Sequence, residues 1–454
     1  MSAAKDRERA DAVYLALLQR QGEQWVQPRV ERTARVLDLL DDPQRTYRVV
    51  HVTGTNGKTS TSRMIESILR AHGLRTGLFT SPHLERFTER IMIDGERIAD
   101  GAVADAWDEI EPIAGIVDAE LEAAGDAPLT FFELLTVVAF VAFADAPVDV
   151  AVIEVGMGGA WDSTNTADGD VAVIAPIGID HADRLGSTIR EIATVKSGII
   201  KDGAAVVSAR QDPDAEAVLR DAAAARSATI AFEGEGFALT EQRLAVGGQQ
   251  FSVRGLSGQS YADEYLPLYG AHQAQNAALA IAAVEALIGG GAQPITGEVL
   301  TEGLAGATSP GRLQLVGAHP TVVVDAAHNP HGARALAQAL GETFDFAEWG
   351  IVLGILADKD AAGIVDVLAP IAAHVFATEP DSDRAGSADA IADLLEAREV
   401  SVTTHRDLAD AAEAARAWAV AGERRGVVIA GSVLLAGEAI ALAREENWKA
   451  GWEA

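Results

Sequence analysis

The segment Gly54-Thr55-Asn56-Gly57-Lys58-Thr59-Ser60 carries residue types suited to holding a nucleotide phosphate. Its glycines let successive backbone N–H groups turn toward one anion. A helix starting at its end adds about half a positive charge. Lys58 can reach the β and γ phosphates, and Thr59 or Ser60 can meet a magnesium ion. The general phosphate-loop pattern would put its first glycine where this chain has Val52. The nearest glycine is Gly54, so the pattern alone leaves a plain strand–helix turn open.

Three further polar clusters follow apolar runs. Ser81-Pro82-His83 follows residues 75–80, and Glu154 precedes Gly156-Met157-Gly158-Gly159. Ile179-Asp180-His181 follows residues 171–176. Ligands of open α/β sheets bind beyond the carboxyl ends of the strands. There the hydroxyl of Ser81, the carboxylate of Glu154 and the imidazole of His181 suit a magnesium ion, with water and phosphate oxygens completing its shell. The imidazole makes manganese an alternative. Taken singly, Ser81 reads as a turn cap, Glu154 as a strand-end charge and His181 as a surface residue.

The elements that must position these groups are legible from periodicity. Val49, Val50 and Val52 form a strand ahead of the loop. Residues 59–72 form a helix burying Met64, Ile65, Ile68 and Leu69, and Gly73 ends it. Runs at 48–52, 75–80, 150–154, 171–176 and 204–208 are almost continuously apolar, as parallel strands covered on both faces are. "FALTEQRLAVGGQQFSVRG" alternates about Gly247-Gly248 and reads as a hairpin. A long helix follows at about 272–288. The texture changes at "GLAGATSPGRLQLVG". Beyond it "TVVVDAAH", "WGIVLGIL", "AHVFAT" and "GVVIAGS" read as four more strands.

The expected fold class is α/β. A phosphate-loop ATPase-type domain with a mostly parallel sheet spans 1–305, with a small β-rich insertion at about 232–268. A hinge linker at 306–318 leads to a smaller Rossmann-like domain at 319–454.

The chain has 454 residues, 48% hydrophobic and 23% charged, an ordinary globular balance. It has no cysteine, which excludes disulfides, thiolate metal sites and cysteine nucleophiles. A net charge of −31 argues against a general nucleic-acid surface but permits a local site for small anions. The first residues are charged and lack the apolar core of a signal peptide. The run "LLTVVAFVAFADAPVDVAVIEV" is broken by Asp145, Pro147 and Asp149, so it reads as a buried helix and a strand. The expectation is a cytoplasmic monomer with small-molecule substrates and no nucleic-acid or membrane partner.

"GTNGKTS", "TSPHLERFTERI", "GMGGAWDSTN", "IGIDHADRLG", "VKSGII", "HQAQNAALA", "SPGRLQ", "DAAHNPHG" and "GILADKD" occur in this order. The set resembles folylpolyglutamate synthases and dihydrofolate synthases, the folate branch of the Mur ligase superfamily, in the bifunctional bacterial type. It covers roughly residues 25–435. In this family the phosphate loop begins at the glycine matching Gly54, which accounts for the spacing.

The resemblance implies a set of roles. Gly54, Thr55, Asn56, Gly57, Lys58, Thr59 and Ser60 hold ATP, with Asn276, Arg312 and Asp325 completing its site. Ser81, Glu154, His181 and a carbamylated Lys196 hold two magnesium ions. Val26, Gln27, Pro28, His83, Thr130, Phe131, Phe132, Glu133, Trp161, Asp162 and Ser163 border the pterin substrate. Lys58, Lys196 and His328 are the catalytic set. Lys196 read by itself is a solvated helix lysine, and His328 by itself a strand-end cap. The implied reaction is ATP-dependent joining of L-glutamate to dihydropteroate or to reduced folates through an acyl phosphate.

Two positions depart from the family. Thr59 replaces a glycine, as in peptidoglycan Mur ligases, and Ala160 stands where arginine is common. Arg184, Arg86 and Arg90 are candidate replacements. A peptidoglycan-type Mur ligase is the nearest alternative, but the chain has "TSPHL" and "TFFE" and no UDP-binding domain ahead of the loop. A nucleotide-switch regulator would need an Asn-Lys-x-Asp motif. A dinucleotide oxidoreductase would need GxGxxG after the first strand of the second domain.

Overall fold

A computed structural model describes residues 3–22, 28–180 and 182–449. Its strands in chain order begin with Arg48–Thr53 (β1), Thr76–Phe79 (β2), Ile91–Ile93 (β3), Glu96–Arg97 (β4), Val150–Glu154 (β5), Val171–Ile174 (β6), Ala205–Ser208 (β7) and Thr229–Phe232 (β8). These make one sheet in the order β4-β3-β2-β5-β1-β6-β7-β8. The pairs from β2 through β8 are parallel, and the β3 and β4 edge is antiparallel.

The sheet is covered on both faces, which is why its strands are apolar throughout. On one face lie helices Lys58–Ala71 and Ala271–Gly289. On the other lie Ala3–Leu18, Asp100–Ala123 and Phe131–Asp145. Met64, Ile65, Ile68 and Leu69 of the first helix are fully buried. Each such side chain contributes about 1.5–3 kcal/mol. Gly73, at φ +80°, supplies the left-handed residue just past the helix end.

Ala238–Ala245 (β9), Gly248–Arg254 (β10) and Ser260–Leu266 (β11) form a separate three-stranded antiparallel sheet. The hairpin is where alternation placed it, and β11 adds a third strand. Glu285, fully buried on the long helix, fastens this sheet. It accepts hydrogen bonds from Tyr261 Oη (2.7 Å) and Ser257 Oγ (2.6 Å).

The second sheet contains Gln314–Ala318 (β12), Thr321–Val324 (β13), Glu348–Leu353 (β14), Ala372–Ala377 (β15), Val402–Thr404 (β16) and Arg425–Ala430 (β17), in the order β12-β13-β17-β14-β15-β16. All pairs but the antiparallel β12–β13 edge are parallel. The segment 306–318 therefore contains an edge strand of this sheet. The two sheets meet through the loop after β2. A Cβ on Gly437 would lie 2.1 Å from the Leu84 carbonyl oxygen, and Arg444 pairs with Glu85. Among the described residues, no helix is long and apolar enough to cross a membrane.

Candidate active site

The loop after β1 sits between the carboxyl ends of β5 and β6, since Val52 pairs with Glu154 and Thr53 with Ile174. Val52 is a buried strand residue, so the loop proper begins at Gly54. Gly54, at φ +150°, could not carry a side chain, because a Cβ would lie 2.7 Å from the Ala175 Cβ. The amides of Thr55 (2.9 Å) and Asn56 (3.4 Å) are spent on the Pro176 carbonyl. Thr55 Oγ1 also donates to the Gly178 carbonyl (2.9 Å). These bonds tie the loop to the segment that follows β6.

Helix Lys58–Ala71 begins directly after Gly57, which is left-handed at φ +84°. The Thr61 amide closes the first turn onto the Gly57 carbonyl (2.9 Å). The amides of Lys58, Thr59 and Ser60 thus lie ahead of the helical ladder and face outward as a cradle for an anion. Among the described residues, Lys58 Nζ makes only a long bond to the Thr55 carbonyl (3.3 Å), one weak enough for it to turn to a phosphate. Asn276, buried in the second turn of Ala271–Gly289, packs on this loop. A Cβ on Gly57 would meet its Oδ1 at 2.6 Å. Gly57→Ala combines that clash with an unfavourable φ, so ADP affinity measured by calorimetry should fall at least about tenfold. Unchanged affinity would show that Gly57 does not shape the cradle.

Glu154 ends β5 at 1% exposure. Burial pushes its carboxyl pKa up, while Lys58, the Thr59 hydroxyl and the Ser81 amide pull it down. Its oxygens accept from Thr59 Oγ1 (2.9 Å) and the Ser81 amide (3.3 Å). A carboxylate and a hydroxyl beside a phosphate cradle are the hard oxygen donors that magnesium takes, and each oxygen keeps a further lone pair. Among the described residues, no cluster of three acidic or histidine side chains forms a metal site by itself. Phosphate oxygens and water would therefore supply much of the shell. His181 lies outside the described residues.

Lys196 is not a solvated lysine. It is 3% exposed, and its Nζ donates to the Gly54 carbonyl at 2.8 Å, behind the loop. Burial, with Lys58 adding repulsion, lowers its pKa to about 7.

From the second domain, Asp325 follows β13 and accepts from the amides of Leu313 (2.8 Å) and Ala327 (2.8 Å). Burial raises its carboxyl pKa, and nearby Arg312 opposes that rise. It pins the turn that carries Arg312. His328 Nδ1 sits 2.9 Å from the Ala326 carbonyl, so Nδ1 carries the proton and Nε2 is an acceptor. Burial, helped by Lys359, lowers its pKa to about 4.

One contact brings the second domain onto the loop and another onto the segment after β6, and neither was anticipated from the sequence. Asn56 Nδ2 lies 2.6 Å from His331 Nδ1, and Asn329 Nδ2 donates to Asp180 Oδ2 (3.0 Å). Asn329 also caps helix Pro330–Thr343 by accepting from the Gly332 amide (2.7 Å). The Asn-Pro pair at 329–330 is a helix-start signal that foretells the cap but not the contact across domains.

The pterin-facing set is mixed. Val26 and Gln27 lie outside the described residues, and Pro28 is exposed at their edge. Thr130 and Glu133 form a capping box for Phe131–Asp145, and Glu133 pairs with buried Arg29 (3.0 Å). Their polar atoms are thus engaged in framework bonds. Phe132 packs on Gly156, where a Cβ would come within 2.5 Å of its ring. Phe131 lies under the Arg90 guanidinium at 5.4 Å. Arg90 also donates to His83 Nδ1 (2.8 Å), which links this apolar patch to the loop after β2. Trp161 is half-buried beside Gly158. Asp162 is 4% exposed and accepts from the Met157 amide (2.9 Å), the Thr164 amide (3.0 Å) and Thr164 Oγ1 (2.5 Å), closing the 156–164 loop on itself. Thr164 in turn meets buried His51 Nε2 at 2.9 Å. Ser163 is buried at the start of the short helix Ser163–Thr166.

Ala160 is exposed, and its amide donates to the Val195 carbonyl (2.9 Å). Of the candidate replacements, Arg86 pairs with Asp11 and Asp100, and Arg90 serves His83. Arg184 is on helix Ala182–Leu185, whose Leu185 reaches within 3.2 Å of a Cβ placed on Gly158.

The chain matches the Mur ligase middle domain over residues 52–284 and the Mur ligase, glutamate ligase domain over residues 311–433. The dihydrofolate synthase/folylpolyglutamate synthase of Mycobacterium tuberculosis is 45% identical over 446 residues, covering 93% of this chain and 91% of the relative. This chain belongs to the folylpolyglutamate synthase/dihydrofolate synthase family of Mur ligases. The Escherichia coli member is 33% identical, with 81% of each chain covered. M. tuberculosis folylpolyglutamate synthase complexed with ADP superposes with a TM-score of 0.92 at 43% identity, covering 96% of this chain and 99% of that one. An E. coli structure in complex with DHPP and ADP gives 0.83 at 29% identity, covering 96% and 98%. Membership makes this chain an ATP-dependent ligase with small-molecule substrates. It sets aside the nucleotide-switch, oxidoreductase and peptidoglycan readings.

Proposed function

We propose that this ligase joins L-glutamate to dihydropteroate, to reduced folates, or to both, using the residues gathered at the loop after β1. The observation that carries the reading is one cradle built from both domains. The free amides of Lys58–Ser60 and buried Glu154 come from the first. Arg312, Asp325 and the His331 contact come from the second. Such an arrangement suits phosphoryl transfer in a site that must exclude water.

An acceptor carboxylate oxygen attacks the γ-phosphorus of ATP, ADP leaves, and an acyl phosphate forms. The glutamate nitrogen attacks its acyl carbon, the C–O bond to phosphate breaks, and the nitrogen loses a proton. Lys58 and the helix amides offset charge on the transferring phosphoryl group. Thr59 and Glu154, with the Ser81 hydroxyl, would hold magnesium, whose chemistry is charge neutralisation on ATP. Manganese would also suit a set that includes His181. A carbamate on Lys196 would supply an anionic ligand for a second ion.

His328, with a pKa near 4, is a weak base at neutral pH, so its Nε2 is better suited to orienting a donor than to removing a proton. Asn276 and Asp325 shape the nucleotide site through Gly57 and the Arg312 turn. Phe131, Phe132, Trp161, Ser163 and His83, with Val26, Gln27 and Pro28, frame the pterin. Thr130, Glu133 and Asp162 hold that frame.

The hinge lies in residues 306–313, the part of the expected 306–318 linker ahead of β12, which belongs to the second domain's sheet. One chain supplies both halves of the site, which supports a monomer. ATP and folate substrates suit the cytoplasm, and neither nucleic acid nor membrane enters the reaction. The test is phosphate release with dihydropteroate or a tetrahydrofolate as acceptor, with product masses read out. Release should require both L-glutamate and an acceptor; steady turnover without either would overturn the reading.

A further inference from the structure

The helix Lys58–Ala71 carries a second polar stripe that the reaction does not use. Arg63 stands one turn beyond Thr59 on the same face, followed by Glu66, Ser67 and Arg70. The stripe lines an open cavity of about 280 Å³, bordered by Met92 and Glu96 on the β3–β4 side and by Thr308 of the linker. The volume exceeds several times the roughly 30 Å³ that one water occupies.

The carboxylates around this cavity are largely committed. Glu66 accepts from Arg70 Nε (3.1 Å) and Thr76 Oγ1 (2.6 Å). Asp94 accepts from the Thr76 amide (2.9 Å) and approaches Arg75 (3.5 Å). Glu96 is exposed at the edge. Arg63 is different. Among the described residues, its Nη1 reaches only the Met92 sulfur, at 3.5 Å. Its Nε is buried and has no hydrogen-bond partner among the described residues. Among the described residues, every ion pair within 4.0 Å at this cavity belongs to another arginine. Glu154, Glu89 and Glu66 act on Arg63 only through space, and Arg312 repels it. A largely enclosed guanidinium whose Nε has no hydrogen-bond partner and whose charge has no ion pair is costly, and a ligand that brings the opposite charge lowers the cost.

We propose that this cavity is a binding site for a small oxyanion, carboxylate or phosphate, held by the fork of Arg63 with Arg70 at the rim. A planar guanidinium offers two parallel N–H groups to either group. The cavity adjoins the linker where Ser67 Oγ donates to the Gly303 carbonyl (2.7 Å) and Ser60 Oγ meets Ser309 Oγ (2.8 Å). An anion here therefore lies against both the phosphate-loop helix and the segment leading to the second domain.

The test uses the full chain carrying Lys58→Ala, which removes the cation of the main cradle. Melting temperature is followed with inorganic phosphate or with L-glutamate, against sodium chloride at equal ionic strength. At least one of the two should raise it, and the responding anion identifies the source. Adding Arg63→Met should weaken that response about tenfold or more. Arg63→Lys, which keeps charge without the fork, should weaken it less. Without added anion, Arg63→Met should melt at or above its parent, because a largely enclosed charge with no ion pair is gone. No response to either anion overturns the proposal, as does a response that survives Arg63→Met or a lower melting temperature of that variant without anion. None of these readouts requires ligase activity, so the outcome is separate from that of the proposed reaction.

Discussion

Lys58→Ala should reduce ligation about 10²–10³-fold while leaving the fold intact. The expected separation follows from where the side chain sits. Lys58 is the first residue of its helix and is half-buried, and its one bond, to the Thr55 carbonyl at 3.3 Å, is long. Little packing is lost on truncation, so the stability change should be within about 0.5 kcal/mol. The charge, however, stands beside Glu154 and Lys196, and its field acts on both. Removing it takes away a cation from the phosphoryl group in transfer. It also lets the carboxyl pKa of Glu154 rise further and relieves the repulsion that lowers Lys196. Arginine at this position should not restore activity, since a planar fork cannot replace a compact ammonium on a flexible stem. The measurement is steady-state product formation with both co-substrates, alongside circular dichroism. Near-normal turnover in a folded Lys58→Ala protein would remove the loop from the reaction.

What the sequence revealed and what it hid divide along physical lines. β1, the turn and the helix after it were legible because local chemistry dictates them. A valine run must be covered, Gly54 and Gly57 adopt backbone angles that strongly favour glycine, and Met64, Ile65, Ile68 and Leu69 recur at helical spacing. That Ser81, after β2, and Glu154, at the end of β5, are neighbours was legible because parallel strands deliver their carboxyl ends to one side of a sheet. Gln314–Ala318 was hidden in the glycine- and proline-rich texture of its surroundings, since an edge strand needs little apolar content. β11 and β16, with alternating or sparse apolar residues, gave weak signals for the same reason.

Thr130-x-x-Glu133 is itself a capping-box pattern, so its framework role was readable locally. The resemblance directed attention to the substrate instead. Asp162 is the converse case. Nothing in its neighbours in sequence announces that Met157 and Thr164 would claim both of its oxygens. Asn56 with His331, and Asp180 with Asn329, join residues far apart in the chain, and no periodicity encodes such pairs. The unpaired Nε of Arg63 is a consequence of tertiary packing and has no signature in sequence.

Lys196→Met should cost about 10²–10³-fold in turnover, and the loss should have a cause different from that of Lys58→Ala. An ordinary lysine of pKa 10.5 is neutral only about once in three thousand at pH 7. With its pKa lowered to about 7 by burial, Lys196 is about half neutral there. Only the neutral amine has the lone pair that attacks carbon dioxide. The N–C bond forms, one C=O electron pair moves to oxygen, and the nitrogen releases a proton to solvent. The product would be an anion placed beside Lys58 and the loop, where the unmodified ammonium is disfavoured. Carbamate formation should therefore fall as pH drops below about 7, and activity with it.

For the unmodified protein the linkage has a definite sign. Between about pH 7 and 10.5 the unfolded lysine holds a proton that the folded one has lost, so stability rises with pH across that window. Methionine should abolish this slope, while leaving the Gly54 carbonyl without its donor at a cost of about 1–3 kcal/mol. The deciding measurement is a carbamate resonance from isotopically labelled bicarbonate, expected in the parent and missing in Lys196→Met. Activity should also decline in buffer stripped of carbon dioxide. Full activity in such buffer with no carbamate signal would leave Lys196 as a prop for the Gly54 carbonyl and nothing more.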